Sequence, residues 1–137
     1  MPDRQMALKP MLLVEPDALL RRTVVMTARS LAIAEIVEAG NAEQAMQALK
    51  STEVGGAVLA FDAERSAYDY DFRLIDHLRE RPATRPLPLA VMVSQVDGKL
   101  AEAFRQREVA RVIIKPFRAR TLLDTFAEFL RQQGAAS

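Results

Sequence analysis

The feature that most constrains this chain is a regular alternation between short apolar runs and longer amphipathic segments. Runs this short and this rich in aliphatic side chains are typical of strands buried on both faces of a parallel sheet. The second run carries two glutamates, so we expect it at an edge of the sheet. The five runs cover residues 11–14, 34–38, 57–61, 87–93 and 110–114.

The segments between the runs repeat apolar residues at helical spacing. Asp17 and Asn41 each begin such a segment and are suited to cap a helix, because their side-chain oxygens can accept free backbone N–H groups of the first turn. Five strands alternating with five helices through right-handed crossovers indicate an α/β fold, a doubly wound five-stranded parallel sheet or (βα)5. The helices are expected at about 17–31, 42–50, 71–81, 98–107 and 119–132.

Composition narrows the classes of function. With 19 basic and 18 acidic side chains, the net charge of +1 gives no reason to expect nucleic acid or an anionic membrane as partner. The chain has no cysteine, which excludes disulfides, thiolate metal sites and cysteine nucleophiles. No apolar run reaches the roughly 18–20 residues of a membrane span, and the first residues do not resemble a signal peptide, so we expect a cytoplasmic protein.

The length of 137 residues is sufficient for one domain with its own hydrophobic core. We expect that domain at 10–133, after an N-terminal extension at 1–9 and before a frayed tail at 134–137. Within it we find no linker, internal repeat or low-complexity stretch. Arg21 and Arg22 are expected on the exposed side of the first helix.

Polar side chains follow four of the five apolar runs. Glu15 and Asp17 come after the first run, Asp62 after the third, Ser94 after the fourth and Lys115 after the fifth. In sheets of this kind, ligands bind beyond the carboxyl ends of the strands, near the point where the strand order reverses. We therefore expect acids, a hydroxyl and a lysine at one edge of the molecule.

This set of residues resembles the receiver domain of two-component response regulators. The most specific part is the segment 112–117, Val-Ile-Ile-Lys-Pro-Phe, in which an apolar strand ends in Lys-Pro-Phe and an amphipathic helix follows. The segment 12–15, Leu-Leu-Val-Glu, is similar to the family's first strand and first acid, and 37–45 to its second strand and second helix start. Ser94 stands where the family has Ser or Thr. The resemblance extends from about residue 11 to residue 131.

The resemblance implies a flavodoxin-like receiver fold and a site for phosphoryl transfer. Carried over by position, Asp62 is the phosphoacceptor, and Lys115 and Ser94 contact the phosphoryl oxygens. Glu15, Asp62 and Asp17 are the candidate ligands of a Mg²⁺ ion, which in the family screens the incoming charge and orients the phosphate oxygens. The implied protein is a phosphoprotein that exchanges partners, so we do not expect an enzyme.

The same resemblance implies protein partners. A sensor histidine kinase or a phosphotransfer protein is the expected phosphoryl donor. A downstream protein partner is expected on the face formed by the fourth helix, the fifth strand and the fifth helix, which receivers commonly use for docking; whether a homodimer forms there stays open. Basic residues surround this face, interrupted by two glutamates: Lys99, Arg105, Arg107, Arg111, Arg118 and Arg120.

Four features depart from the family's pattern. Three of them favour an alternative, a pseudo-receiver that keeps the fold and binds partners without phosphorylation: Pro16, Val112 and the loop 63–71, which lacks the family's Met-Pro and carries extra acids. Pro16 stands where the family has a second acid, and proline offers no carboxylate. Val112 stands where the family often has an aromatic side chain that rotates together with the switch hydroxyl. Asp62 reaches the acceptor position only with a slightly longer loop at 53–56, since a gapless match puts Ala60 there.

A third interpretation, a nucleotide- or flavin-binding domain of the same architecture, is disfavoured. Such a domain needs a loop rich in Gly, Ser or Thr after the first strand to hold a phosphate group. Residues 15–19 include two acids and no glycine. The phosphorylatable receiver and the pseudo-receiver remain as the two hypotheses, and Mg²⁺ binding and acyl-phosphate formation distinguish them.

Overall fold

The computed structural model describes residues 8–61 and 71–136, in which the predicted alternation of strands and helices is confirmed. Helix α5 continues past its expected end near residue 132, while the division into extension, domain and tail stays a prediction. The strands are β1 (Met11–Val14), β2 (Ile36–Ala39), β3 (Ala57–Ala60), β4 (Leu89–Val93) and β5 (Arg111–Ile114). The helices are α1 (Ala18–Ser30), α2 (Ala42–Leu49), α3 (Arg73–Glu80), α4 (Gly98–Gln106) and α5 (Ala119–Ala136).

The strands form one parallel sheet in the order β2-β1-β3-β4-β5. Strand β1 pairs with both β2 and β3, so the chain moves outward from β1 to β2 and then crosses back to β3. The strand order therefore reverses between β1 and β3, which is where sheets of this type bind ligands beyond their carboxyl ends. Strand β2 lies at an edge of the sheet as predicted, and β5 forms the opposite edge.

Helices cover both faces of the sheet. Successive side chains of a strand point to opposite faces, and here apolar side chains on both faces have to be buried. Leu12 and Leu59 pack with residues of α2, α3 and α4 on one face. Leu13 and Val58 pack with residues of α1 and α5 on the other. We call these faces the α2–α4 side and the α1–α5 side. Burial on both sides explains why the central strands are continuous apolar runs in the sequence.

The predicted caps of α1 and α2 are confirmed. Asp17 Oδ1 accepts a hydrogen bond from the Leu20 N–H at 3.1 Å, and Asn41 Oδ1 accepts one from the Gln44 N–H at 2.8 Å. The Gln44 side chain in turn accepts the N–H of Gly40 at 2.7 Å. Both caps lie just beyond strand ends, so they fix where the two helices begin relative to the ligand-binding edge of the sheet.

The Arg79 side chain links α3 to the connection between α3 and β4 and to the connection between α4 and β5. Its guanidinium donates hydrogen bonds of 2.6–2.9 Å to the carbonyl oxygens of Arg85, Leu87, Arg107 and Glu108. The first two lie between α3 and β4, and the last two between α4 and β5. Burial lowers the pKa of the Arg79 guanidinium, while the nearby Glu108 carboxylate acts in the opposite direction. One side chain thus satisfies four carbonyl groups from different parts of the chain.

Candidate functional site

Glu15, a predicted site residue, is a buried carboxylate directly after β1, with an exposed fraction of 3%. Its backbone N–H donates to the carbonyl of Ala39 at 3.0 Å, and its Oε2 accepts the N–H of Asp17 at 2.8 Å. Its Oε1 accepts no hydrogen bond from the described residues, and Lys115 Nζ lies 3.6 Å away. Because a buried carboxylate without compensation is costly, this oxygen requires a nearby cation.

Lys115 and Ser94 are neighbours at the same edge of the sheet. The Lys115 N–H donates to the carbonyl of Val93 at 2.7 Å, and Val93 pairs with Ile114 in the β4–β5 register. Because Ser94 follows Val93 and Lys115 follows Ile114, the two residues lie next to each other at the ends of adjacent strands. The Lys115 side chain is 25% exposed, and Ser94 is exposed. The structure thus brings these two predicted residues to the edge that carries the buried acid.

The prediction that Arg21 lies on the exposed side of α1 is wrong. Its side chain is 19% exposed, and its Nε lies 3.2 Å from Oε1 of Glu38 in β2. Its Nη1 also donates to the carbonyl oxygen of Glu15 at 2.6 Å. Helical periodicity locates the apolar side of α1, but it does not show that an acid on a neighbouring strand attracts this long side chain. Arg22 is exposed as predicted, although it also pairs with Glu38.

The described residues supply one buried carboxylate suited to Mg²⁺. This ion takes about six oxygen ligands in near-octahedral geometry and commonly keeps several of them as water. Glu15 Oε1 fits as one ligand, because it is buried and accepts no hydrogen bond. Asp17 is exposed and its Oδ1 caps α1, so its role as a ligand stays a prediction. Within 8–61 and 71–136 there is no group of three acidic or histidine side chains suited to a metal.

Asp62, the predicted phosphoacceptor, lies outside the described residues. Strand β3 ends at Ala60, one residue earlier than predicted, although the Phe61 N–H still donates to the carbonyl of Met92 at 2.7 Å. Asp62 is therefore the second residue after β3. Its assignment to the acceptor position, in place of Ala60, stays a prediction.

Solved structures similar to this chain include receiver domains of response regulators. A response regulator receiver domain from Methanospirillum hungatei JF-1 matches with a TM-score of 0.75 at 17% identity, over 96% of this chain and 100% of that one. The chemotaxis response regulator CheY4 of Vibrio cholerae matches with a TM-score of 0.74 at 15% identity, over 90% and 99%. This chain has the receiver fold. A response regulator from Thermotoga maritima agrees, with a TM-score of 0.69 at 21% identity, over 90% and 99%.

The predicted fold class is therefore confirmed as the five-stranded, doubly wound receiver fold. No protein-family model and no curated protein sequence matches the chain. The likeness thus shows the fold alone, because one fold can host many functions. None of the helices within residues 8–61 and 71–136 combines the length and the apolar composition of a membrane-spanning segment.

Within this receiver fold, an aromatic cluster joins β3, α3 and α4. The ring of Phe61 lies 4.9 Å from that of Phe72 and 5.0 Å from that of Phe104, measured between centroids. The guanidinium of Arg107 lies 3.9 Å over the Phe72 ring and forms an ion pair with Asp76 at 2.9 Å. We did not predict this cluster, because Phe61 and Phe72 belong to different predicted elements and their spacing gives no periodic signal.

The face of the receiver fold formed by α4, β5 and α5 is basic and carries an exposed apolar side chain. Ile114, at the end of the edge strand β5, is 52% exposed. The prediction that Arg107 belongs to this surface is wrong, because its side chain is only 26% exposed and forms an ion pair with Asp76 of α3. The remaining five predicted basic residues are exposed: Lys99, Arg105, Arg111, Arg118 and Arg120.

Proposed function

We propose that this chain is a signalling module of a two-component phosphorelay, which accepts a phosphoryl group on Asp62 and thereby changes its protein partner. The observation that carries the proposal is the pair of Glu15 and Lys115 at the carboxyl edge of a receiver fold, with 3.6 Å between Oε1 and Nζ. Ser94 lies at the same edge. A cation and a hydroxyl beside a buried acid can bind the oxygens of a phosphoryl group and offset its charge.

In the proposed reaction, an oxygen of the Asp62 carboxylate attacks the phosphorus of a phosphohistidine or of acetyl phosphate. A new P–O bond forms while the bond from phosphorus to the leaving group breaks, and the leaving group keeps the electron pair. Lys115 and Ser94 then contact oxygens of the acyl phosphate. The later change of partner requires no further bond to form, so we do not propose an enzymatic activity.

We include Mg²⁺ in the proposal, with Glu15 and Asp62 among its ligands. When bound, this ion would screen the negative charge of the incoming phosphoryl group. In the structure Lys115 lies close to the same Glu15 oxygen, so the acid is already partly neutralised without a metal. Because Pro16 offers no carboxylate, we expect weaker Mg²⁺ binding than at a site with two adjacent acids.

The partners in this proposal are proteins of the cytoplasm. A sensor histidine kinase or a phosphotransfer protein would supply the phosphoryl group. The downstream partner would bind the α4–β5–α5 face, which carries exposed basic residues and the exposed side chain of Ile114. A surface with acids around an apolar patch is complementary to this face. Two of these basic residues pair with acids of their own helices, Arg105 with Glu102 at 3.1 Å and Arg120 with Asp124 at 3.8 Å, so the charge of the face does not itself disfavour a homodimer.

Intact-mass measurement after incubation with acetyl phosphate and Mg²⁺ tests the proposed function. We expect the wild type to gain one phosphoryl group and Asp62→Ala to gain none. Asp71→Ala is the matched control, because Asp71 is an exposed acid at the other end of the same connection and pairs with Arg73. The control should be labelled like the wild type.

Two outcomes would contradict the proposal in different ways. Labelling that persists in Asp62→Ala would place the acceptor at another residue. A folded wild type that gains no phosphoryl group from several donors would exclude the phosphorelay function and leave the pseudo-receiver.

The pseudo-receiver is the second candidate, and a specific observation favours it. The Asp17 carboxylate caps α1, and Pro16 has no carboxylate to offer a metal. Lys115 already lies beside the Glu15 carboxylate. The site can therefore be stable in the absence of both metal and phosphoryl group. For this candidate we expect unlabelled protein to bind its partner, with an affinity that does not change when Asp62 is replaced by alanine.

A further inference from the structure

The two ends of the connection that carries Asp62 are held together by aromatic rings. Phe61 precedes residues 62–70 and Phe72 follows them after Asp71. The two ring centroids are 4.9 Å apart with the planes tilted by 45°. Phe61 is 8% exposed and its backbone still pairs with β4, so this end is fixed to the sheet.

The same rings contact α4. Phe104, in the second half of α4, lies edge-on to Phe61 at 5.0 Å and to Phe72 at 6.1 Å. Phe104 is 1% exposed, so α4 cannot shift along the sheet without changing these contacts. Because packed aromatic rings interact best in tilted or edge-on geometries, a displacement of one ring is transmitted to its neighbours.

A cation completes the connection between α3 and α4. Arg107, which follows α4, lies over the Phe72 ring and forms an ion pair with Asp76 of α3. Its Nη1 also donates to the carbonyl of Ala103 at 3.1 Å, which holds the guanidinium against its own helix. We call Phe61, Phe72, Phe104 and Arg107 the aromatic clasp.

We propose that the aromatic clasp couples the conformation of the β3–α3 connection to the position of α4, and thus to the partner-binding face. Its use in signalling rests on the proposed function of Asp62, whereas the mechanical coupling itself does not. The clasp offers a route that does not need an aromatic residue in β5. In β5, the position where receivers often have an aromatic side chain is occupied by Val112. This side chain is half-buried and too small to transmit a ring rotation.

Hydrogen–deuterium exchange of the unmodified 137-residue chain tests the coupling. Phe72→Leu keeps an apolar side chain but removes the ring that contacts both Phe104 and Arg107. We expect the amides of α4 to exchange roughly two- to tenfold faster, while those of α1 and α5 are unchanged. Phe117→Leu is the matched control, because Phe117 is also half-buried but packs on the α1–α5 side. It should leave α4 unchanged.

The coupling would be overturned if a folded Phe72→Leu protein showed wild-type exchange in α4, or if α4 responded equally to Phe117→Leu. If Phe72→Leu does not fold, Arg107→Gln replaces it, because this side chain lies at the surface of the clasp. For Arg107→Gln we expect the same selective acceleration in α4, and wild-type exchange there would overturn the coupling.

A second arm tests the signalling role on samples whose phosphorylation is measured by mass. Phosphorylated wild type should show altered exchange in α4, and Phe72→Leu should lose this response while it is labelled to the same extent. An equal response in both proteins would overturn the signalling role of the clasp. If the wild type accepts no phosphoryl group, the proposed function of Asp62 fails, and the exchange of the unmodified proteins still decides the coupling.

Discussion

The Glu15 carboxylate is buried, and the ammonium group of Lys115 offsets part of the free-energy cost of burying its charge. A carboxylate removed from water loses several kcal/mol of solvation, which a nearby ammonium group offsets in part. Because Lys115 is 25% exposed, solvent screens some of this attraction. We therefore expect the contribution of this pair to stability to fall between two cases. A surface ion pair contributes about 0–1 kcal/mol, and breaking a buried pair costs about 3–5 kcal/mol.

We predict that Lys115→Met lowers the free energy of unfolding by roughly 1–3 kcal/mol, because it removes the ammonium group that lies 3.6 Å from the buried Glu15 carboxylate. In Glu15→Gln that charge is absent, so adding Lys115→Met to this variant should cost less. Urea denaturation of the wild type, both single variants and the double variant measures the coupling. Strictly additive losses would show that the two side chains do not interact.

At the scale of elements, Arg79 determines how α3 meets the connections that precede β4 and β5. We predict that Arg79→Met lowers the free energy of unfolding by roughly 2–4 kcal/mol, because four carbonyl groups lose their donor. Arg81→Met is the control, since Arg81 is exposed at the end of the same helix, and it should cost less than about 0.5 kcal/mol. Equal losses in urea denaturation would contradict this role.

The elements themselves could be predicted because each has a local signal. Strands buried on both faces give continuous apolar runs, and Asp17 and Asn41 mark the starts of α1 and α2 with side chains that accept backbone N–H groups. Since strands in such a sheet share one direction, the position of Glu15, Ser94 and Lys115 at one edge followed from the same pattern. Only the bounds of strands and helices shifted by a few residues.

The contacts that could not be predicted join residues far apart in the chain. Arg21 reaches Glu38 across 17 positions, and Arg107 reaches Asp76 across 31. A helical pattern records which side of a helix is apolar, but it does not record which acid or ring lies opposite a long side chain. The aromatic clasp was missed for the same reason, since its rings meet only after the sheet and helices have packed.

At the scale of the whole molecule, the receiver fold separates two surfaces. The carboxyl edge of the sheet holds Glu15, Ser94 and Lys115, whereas α4, β5 and α5 form a face that carries exposed basic residues and the exposed Ile114. The two surfaces meet at β5, because Lys115 follows this edge strand directly. The aromatic clasp adds a connection through α4. In the proposed coupling, a change at the strand ends reaches this face by two paths.

The most direct test of a switching receiver compares amide spectra of ¹⁵N-labelled wild type before and after treatment with acetyl phosphate and Mg²⁺, with the mass of each sample measured in parallel. We predict a gain of one phosphoryl group together with shifted amides at Ser94 and Lys115 and along α4, β5 and α5. A folded protein that gains no phosphoryl group, or one whose shifts stay confined to residues adjoining Asp62, would contradict a phosphorylation-driven change at the proposed partner-binding face.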